Sequence, residues 1–142
     1  MSMSASLIAL LGFVAWVLLL LGATIAYRSV KVLSMQSKAD AWTRGRGMDD
    51  LPVFKRVHDA YLNCLEMLPI FGGVILISVT AGDGAVTNGL AMLFLAARVL
   101  QSAAHIISVH HLMIFFVRFP AFIVQFGLLV WWVLAFAGQI QG

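Results

Sequence analysis

Charge is scarce in this chain: 11% of its 142 residues are Asp, Glu, Lys or Arg, against roughly a quarter in an ordinary soluble domain. Together with 62% hydrophobic residues, that scarcity excludes a soluble globular domain. Cysteine is nearly missing too. A single Cys64 permits no intrachain disulfide and no thiolate cluster for a metal, and within an apolar segment it reads first as a small packing residue. No basic residue precedes the first apolar run, so the pattern of a cleaved signal peptide is lacking and a retained helix is expected. Strand-like alternation is absent, which argues against a barrel. Neither an internal repeat nor a low-complexity tract stands out.

What is present is a set of long apolar runs, each near the roughly 20 helical residues that a hydrocarbon core requires. They predict a single all-α domain, an integral membrane four-helix bundle, with spans at about residues 6–27, 53–81, 86–109 and 118–138. The one long polar stretch, residues 28–52, holds Arg28, Lys31, Lys38, Arg44 and Arg46 against Asp40, Asp49 and Asp50. The positive-inside rule places it in the cytoplasm and both termini outside. Its Arg44-Gly45-Arg46-Gly47 segment reads as a solvated loop near anionic headgroups. The net charge of +3 follows from this flanking loop, so no nucleic-acid partner is expected. Gly82-Asp83-Gly84-Ala85 makes a tight outer turn that sets the second and third helices antiparallel. Pro69 is expected to bend the second helix. Pro120 fits the first turn of the fourth, and Trp131 and Trp132 near its far end read as interfacial anchors.

Polar side chains inside the spans carry the functional signal. On a helix, Arg56, Asp59, Asn63 and Glu66 fall in one narrow arc. Arg98, Gln101, Ser102 and His105 form a second stripe on the third span. Counted from each helix's own end, Glu66 and Arg98 reach similar depth, so an ion pair between them is expected. Such a pair can serve helix register alone, or a ligand; the extra donors and acceptors around it, Asn63, Gln101 and Ser102, favour a ligand.

His110 and His111 point about 100° apart on a helix, a poor arrangement for joint metal binding, and no metal site is expected. His105 shares the face of Arg98. Arg28 and Arg118 sit at the inner level, where they can snorkel to phosphates, bind the carboxylates of a peptide-like ligand, or favour the thiolate of a bound thiol.

The order Arg56-x-x-Asp59-Ala60-x-x-Asn63-Cys64-x-Glu66-x-x-Pro69 resembles the second-helix motif of the MAPEG family, the membrane-associated proteins of eicosanoid and glutathione metabolism. Ala97-Arg98, with polar residues one and two turns later, is similar to that family's third-helix pattern. The resemblance spans essentially the whole chain and is that of a divergent bacterial-type member. It implies a homotrimer in a bacterial inner membrane, surrounded by lipid, with glutathione as co-substrate between neighbouring subunits near the cytoplasmic side. Asn63, Glu66 and Arg98 match the family's positions, and Arg28 resembles a basic residue at the end of its first helix. Three departures stand out: Asp59 replaces an arginine, Gln101 and His105 replace aromatic residues, and the thiol-activating arginine after the third helix has no equivalent at residues 112–117, leaving Arg118 as the nearest.

Two functions follow as expectations. The first is a membrane glutathione transferase or peroxidase-like enzyme that conjugates or reduces lipophilic electrophiles arriving from the bilayer. Arg28, Asn63, Glu66, Arg98 and Gln101 would bind glutathione. Arg118 would stabilise the thiolate, and Ser102 or His105 would donate a hydrogen bond to the sulfur. The alternative is a non-catalytic scaffold of the same fold, or a binder of another small anionic ligand. A small transporter is a third possibility, supported by intramembrane charge alone.

Overall fold

In a bilayer no water is available to bond the backbone, so each apolar run must pair its own N–H and C=O groups, and helices result. The computed structural model describes residues 3–36, 38, 40 and 50–140; these contain helices and turns but no strand. The Arg44–Gly47 segment lies outside the described residues.

Helix α1 spans Ala5–Leu33 and opens on Ser4, whose Oγ accepts from the Leu7 N–H at 3.3 Å. It continues past Tyr27 for nearly two further turns, so Arg28 and Lys31 belong to the helix rather than to a loop. Helix α2 spans Pro52–Thr80, with Pro52 in its first turn and Pro69 inside it. Gly82, at φ 74°, makes the turn that follows, a left-handed conformation that a side chain would strain.

The third apolar run is not one continuous helix. A single turn, α3 (Ala85–Asn88), is separated from α4 (Ala91–Ile107) by Gly89 and Leu90. Among the described residues, three helical segments are long and apolar enough to cross a membrane: Ala5–Leu33, Pro52–Thr80 and His111–Gln139; Ala91–Ile107 is a shorter apolar helix of 17 residues.

The last segment differs from expectation at its start. The stretch expected as a connector is helical: α5 (His111–Met113) runs through a π-helical stretch, Ile114–Arg118, into α6 (Phe119–Ile140). The Phe119 N–H reaches back five residues to the Ile114 carbonyl. Pro120 therefore lies inside the helical segment, not in its first turn. A wide turn just ahead of a proline gives its ring room where an α-helical carbonyl would clash.

The helices meet through one aromatic side chain each: Phe13 of α1, Phe71 of α2, Phe94 of α4 and Trp132 of α6, all fully buried. Phe71 and Phe94 stack at 4.2 Å between centroids, and Trp132 lies 6.3 Å and 6.0 Å from them. Trp132 is thus a core residue and not an interfacial anchor, whereas Trp131 is 52% exposed. Adjacent helical positions diverge by about 100°, so only one member of the doublet can face outward. Gly12 lets α1 approach α4, since a Cβ there would lie 2.7 Å from Leu95 Cδ2.

Two polar layers close the bundle's ends. At the terminal end, the Ser6 hydroxyl meets Thr87 Oγ1 at 2.5 Å and donates to Asn88 Oδ1, and Ser78 Oγ meets Thr87 Oγ1 at 2.8 Å. There the Gln139 amide donates to the Asp83 carboxylate. At the opposite, basic end, Tyr27 stacks on Phe54 with centroids 3.9 Å apart and its hydroxyl accepts from the Leu51 N–H.

Candidate functional site

Arg98 is the centre of the buried chemistry. Only 1% of its surface is exposed, so its guanidinium must find acceptors inside the protein. Nε donates to Gln125 Oε1 of α6 at 2.7 Å, and Nη1 donates to Asn63 Oδ1 of α2 at 2.5 Å. Gln125 is fixed in turn: its Nε2 donates to Gln101 Oε1 at 2.7 Å and to the Ala121 carbonyl at 3.0 Å. With both amide hydrogens engaged, its oxygen must face Arg98.

The expected Glu66–Arg98 ion pair is absent among the described residues; neutral amide oxygens take that place. Glu66 lies one turn beyond Asn63 on α2, exposed on the bundle surface, within electrostatic reach of Arg98. Both border a groove of about 560 Å³ between α2 and α6. Asn63, Glu66 and Arg98 supply its polar end, and Met67, Ile70, Phe122, Phe126, Leu129, Val130, Val133 and Leu134 supply its apolar walls.

Ser102 does not open onto this groove. Its hydroxyl donates to the Arg98 carbonyl at 2.9 Å and lies 3.0 Å from the Cys64 sulfur, buried between α4 and α2. Gln101 is likewise buried and acts on Arg98 through Gln125. Gln125 itself was not anticipated. A glutamine in mid-span among apolar neighbours is its signal, since an intramembrane amide calls for a partner.

The remaining site residues form a second level toward the basic end. Arg28 Nη2 lies 3.5 Å from His58 Nδ1, and Arg56 Nε donates to the Ile106 carbonyl at 2.6 Å, binding α2 to the last turn of α4. His105 is half-buried there, within electrostatic reach of Arg118, Asp59 and Arg56. Arg118 sits in the π-helical stretch, and its Nε is buried without a hydrogen-bond partner. His105 follows Arg98 by seven residues and Arg118 precedes Gln125 by seven, so the two levels are separated by about 10 Å at 1.5 Å per residue.

The fold and these two levels define an integral membrane protein with its charge gathered inside and at one rim of a helical bundle. The chain belongs to the MAPEG family, whose model matches residues 6–138. Membership suggests a role in glutathione-related or eicosanoid metabolism. Neither the curated proteins nor the solved structures gave a match.

Proposed function

We propose that this protein is a four-span, homotrimeric membrane enzyme that binds glutathione and uses its thiol to conjugate or reduce a lipophilic electrophile from the bilayer. The observation that carries the reading is the spacing of the two polar levels. About 10 Å separates Asn63 and Arg98 from His105 and Arg118, with Glu66 a turn beyond Asn63 and Arg28 beside His58 at the basic level, and an extended tripeptide spans about the same distance. A ligand with carboxylates, an ammonium and amides along its length has a complementary group to meet at each level.

In this reading Glu66 takes the ligand's ammonium, Asn63 and Arg98 orient its backbone, and Arg28 holds a carboxylate at the basic end. Arg118 faces the sulfur. A cation beside the thiol favours the thiolate, the nucleophilic form, and the half-buried His105 donates a hydrogen bond to it. The thiolate attacks the electrophilic carbon, a C–S bond forms, and the leaving group departs with the bonding electrons. Gln101 and Gln125 are positioning residues for Arg98, and Ser102 supports the α4 backbone from behind.

Asp59 favours the second reading, a MAPEG-fold binder or scaffold without catalysis. It is exposed on α2 at the basic level, where its carboxylate repels an anionic ligand. The deciding experiment is a thiolate titration: purified protein in detergent with glutathione, its ultraviolet thiolate absorbance followed against pH, beside calorimetric binding. A bound thiol that ionises well below the pH needed in solution supports the enzyme. Binding without that displacement supports the binder, and no binding at millimolar glutathione overturns both glutathione readings.

A further inference from the structure

Helix α4 stops abruptly at Ser108, whose backbone is extended at φ −160° and ψ 145°. The Ser108 N–H still reaches back to the Ala104 carbonyl at 3.0 Å. In a continuing helix the Ile106 carbonyl would take the N–H four residues on, that of His110. That N–H turns instead to Ser108 Oγ at 3.0 Å. Arg56 of α2 supplies the missing donor: its Nε–H meets the Ile106 carbonyl at 2.6 Å, and its charge lies where a helix C-terminus favours a cation.

This bond has a counterpart deeper in the bundle, where Arg98 of α4 donates to Asn63 of α2. Each helix thus lends one guanidinium to the other. Seven residues separate Arg56 from Asn63 on α2, and eight separate Arg98 from Ile106 on α4, which is about 10 Å and about 12 Å along the two axes. The two antiparallel helices are fastened at two depths with nearly matched spacing. His105, next to Ile106, lies at the end of α4 that only the Arg56 bond fastens to α2, since the Asn63 bond is made seven residues earlier.

We propose that Arg56 is a positioning residue, which fixes the last turn of α4 against α2 through the Ile106 carbonyl and so holds His105 at the level of Arg118. The contact is made by Nε and not by the terminal guanidinium nitrogens, so it requires an N–H at that point of the side chain rather than a charge. Glutamine carries its amide nitrogen on the same carbon, Cδ, and offers the donor without the charge. Methionine has a similar length and no donor. The placement of His105 stands apart from glutathione; its effect on a bound thiolate rests on the glutathione reading.

The test is the histidine side-chain NMR spectrum of the full chain in detergent, for the wild type, Arg56→Gln and Arg56→Met, with His105→Gln identifying the His105 signal. Arg56→Gln is expected to leave that signal in place, and Arg56→Met to displace or broaden it. The Asn63 bond and the aromatic contact remain in each variant, so the bundle is expected to form; Arg56→Leu is read in place of a methionine variant that is not recovered. With glutathione and a lipophilic electrophile, Arg56→Met is expected to lower turnover about tenfold while KM for glutathione stays within about threefold, and Arg56→Gln to keep turnover within about twofold. An unmoved His105 signal in Arg56→Met overturns the proposal. So does a signal displaced as far in Arg56→Gln as in Arg56→Met, which assigns the effect to charge. A wild type that binds no glutathione removes the glutathione reading alone, because the histidine spectrum is read without ligand.

Discussion

Arg98 and Gln125, 27 positions apart, are joined by a 2.7 Å hydrogen bond from the guanidinium Nε to the amide Oε1. It makes a neutral glutamine the partner of the most deeply buried cation in the described residues. Gln125→Leu leaves the Arg98 Nε–H and the Gln101 oxygen buried without partners, at a cost of about 2 kcal/mol or more. Gln125→Glu keeps an acceptor for Arg98 and is expected to lose less. Unfolding in detergent ranks the two variants, and equal losses would contradict the assigned geometry.

Trp132 is held by its ring faces, since its buried Nε1 has no hydrogen-bond partner. Trp132→Phe is therefore expected to cost under about 1.5 kcal/mol. Trp132→Ala, which empties the space beside Phe71 and Phe94, is expected to cost about 3–5 kcal/mol. The ratio of the two, from thermal unfolding, distinguishes a core residue from an interfacial anchor, for which both changes are small.

Thr87 joins α3 to both α1 and α2 through one buried hydroxyl. Thr87→Val preserves the shape and removes that hydroxyl, with an expected loss of about 1–3 kcal/mol. Thr87→Ser retains the bonds to Ser6 and Ser78 and is expected to lose less. Hydrogen exchange localised to the terminal end is the suitable readout.

Arg118→Ala tests the enzyme reading directly. If Arg118 stabilises the thiolate, turnover falls by about 10² to 10³, while glutathione affinity, carried mainly by the other level, changes much less. Steady-state kinetics with a lipophilic electrophile separates kcat from KM. Unchanged turnover removes Arg118 from the reaction.

Asp59→Arg replaces a repelling carboxylate by a cation at the basic level. Glutathione affinity is expected to tighten about tenfold, equivalent to about 1.4 kcal/mol. Calorimetry measures it, and an unchanged affinity places Asp59 outside the ligand's field.

Much of this architecture is legible in the residues themselves. Asn63, Glu66 and Arg98 interrupt otherwise apolar runs, and counting residues from the helix ends brings them to one depth, where the structure joins Asn63 to Arg98. The choice of partner is not legible that way. Charge alone pairs Glu66 with Arg98, but side-chain direction on α2 turns Glu66 outward and Asn63 inward. Gln125 escapes notice because an isolated amide in mid-helix, with no polar residue a turn away on either side, forms no stripe with its neighbours. The start of the last helical segment is missed for a different reason: Pro120 suits the first turn of a helix, and no residue preference announces the π-helical turn that accommodates it farther in.

The aromatic contact described above takes one ring from each of α1, α2, α4 and α6, and so has a consequence for synthesis. Phe71 and Phe94 can stack as soon as α4 is inserted, but the face that Trp132 covers stays open until α6 is inserted. Chains that stop before α6 carry that unfinished face into the bilayer. The bundle is thereby completed only when α6 joins it, and quality control has one late step to monitor.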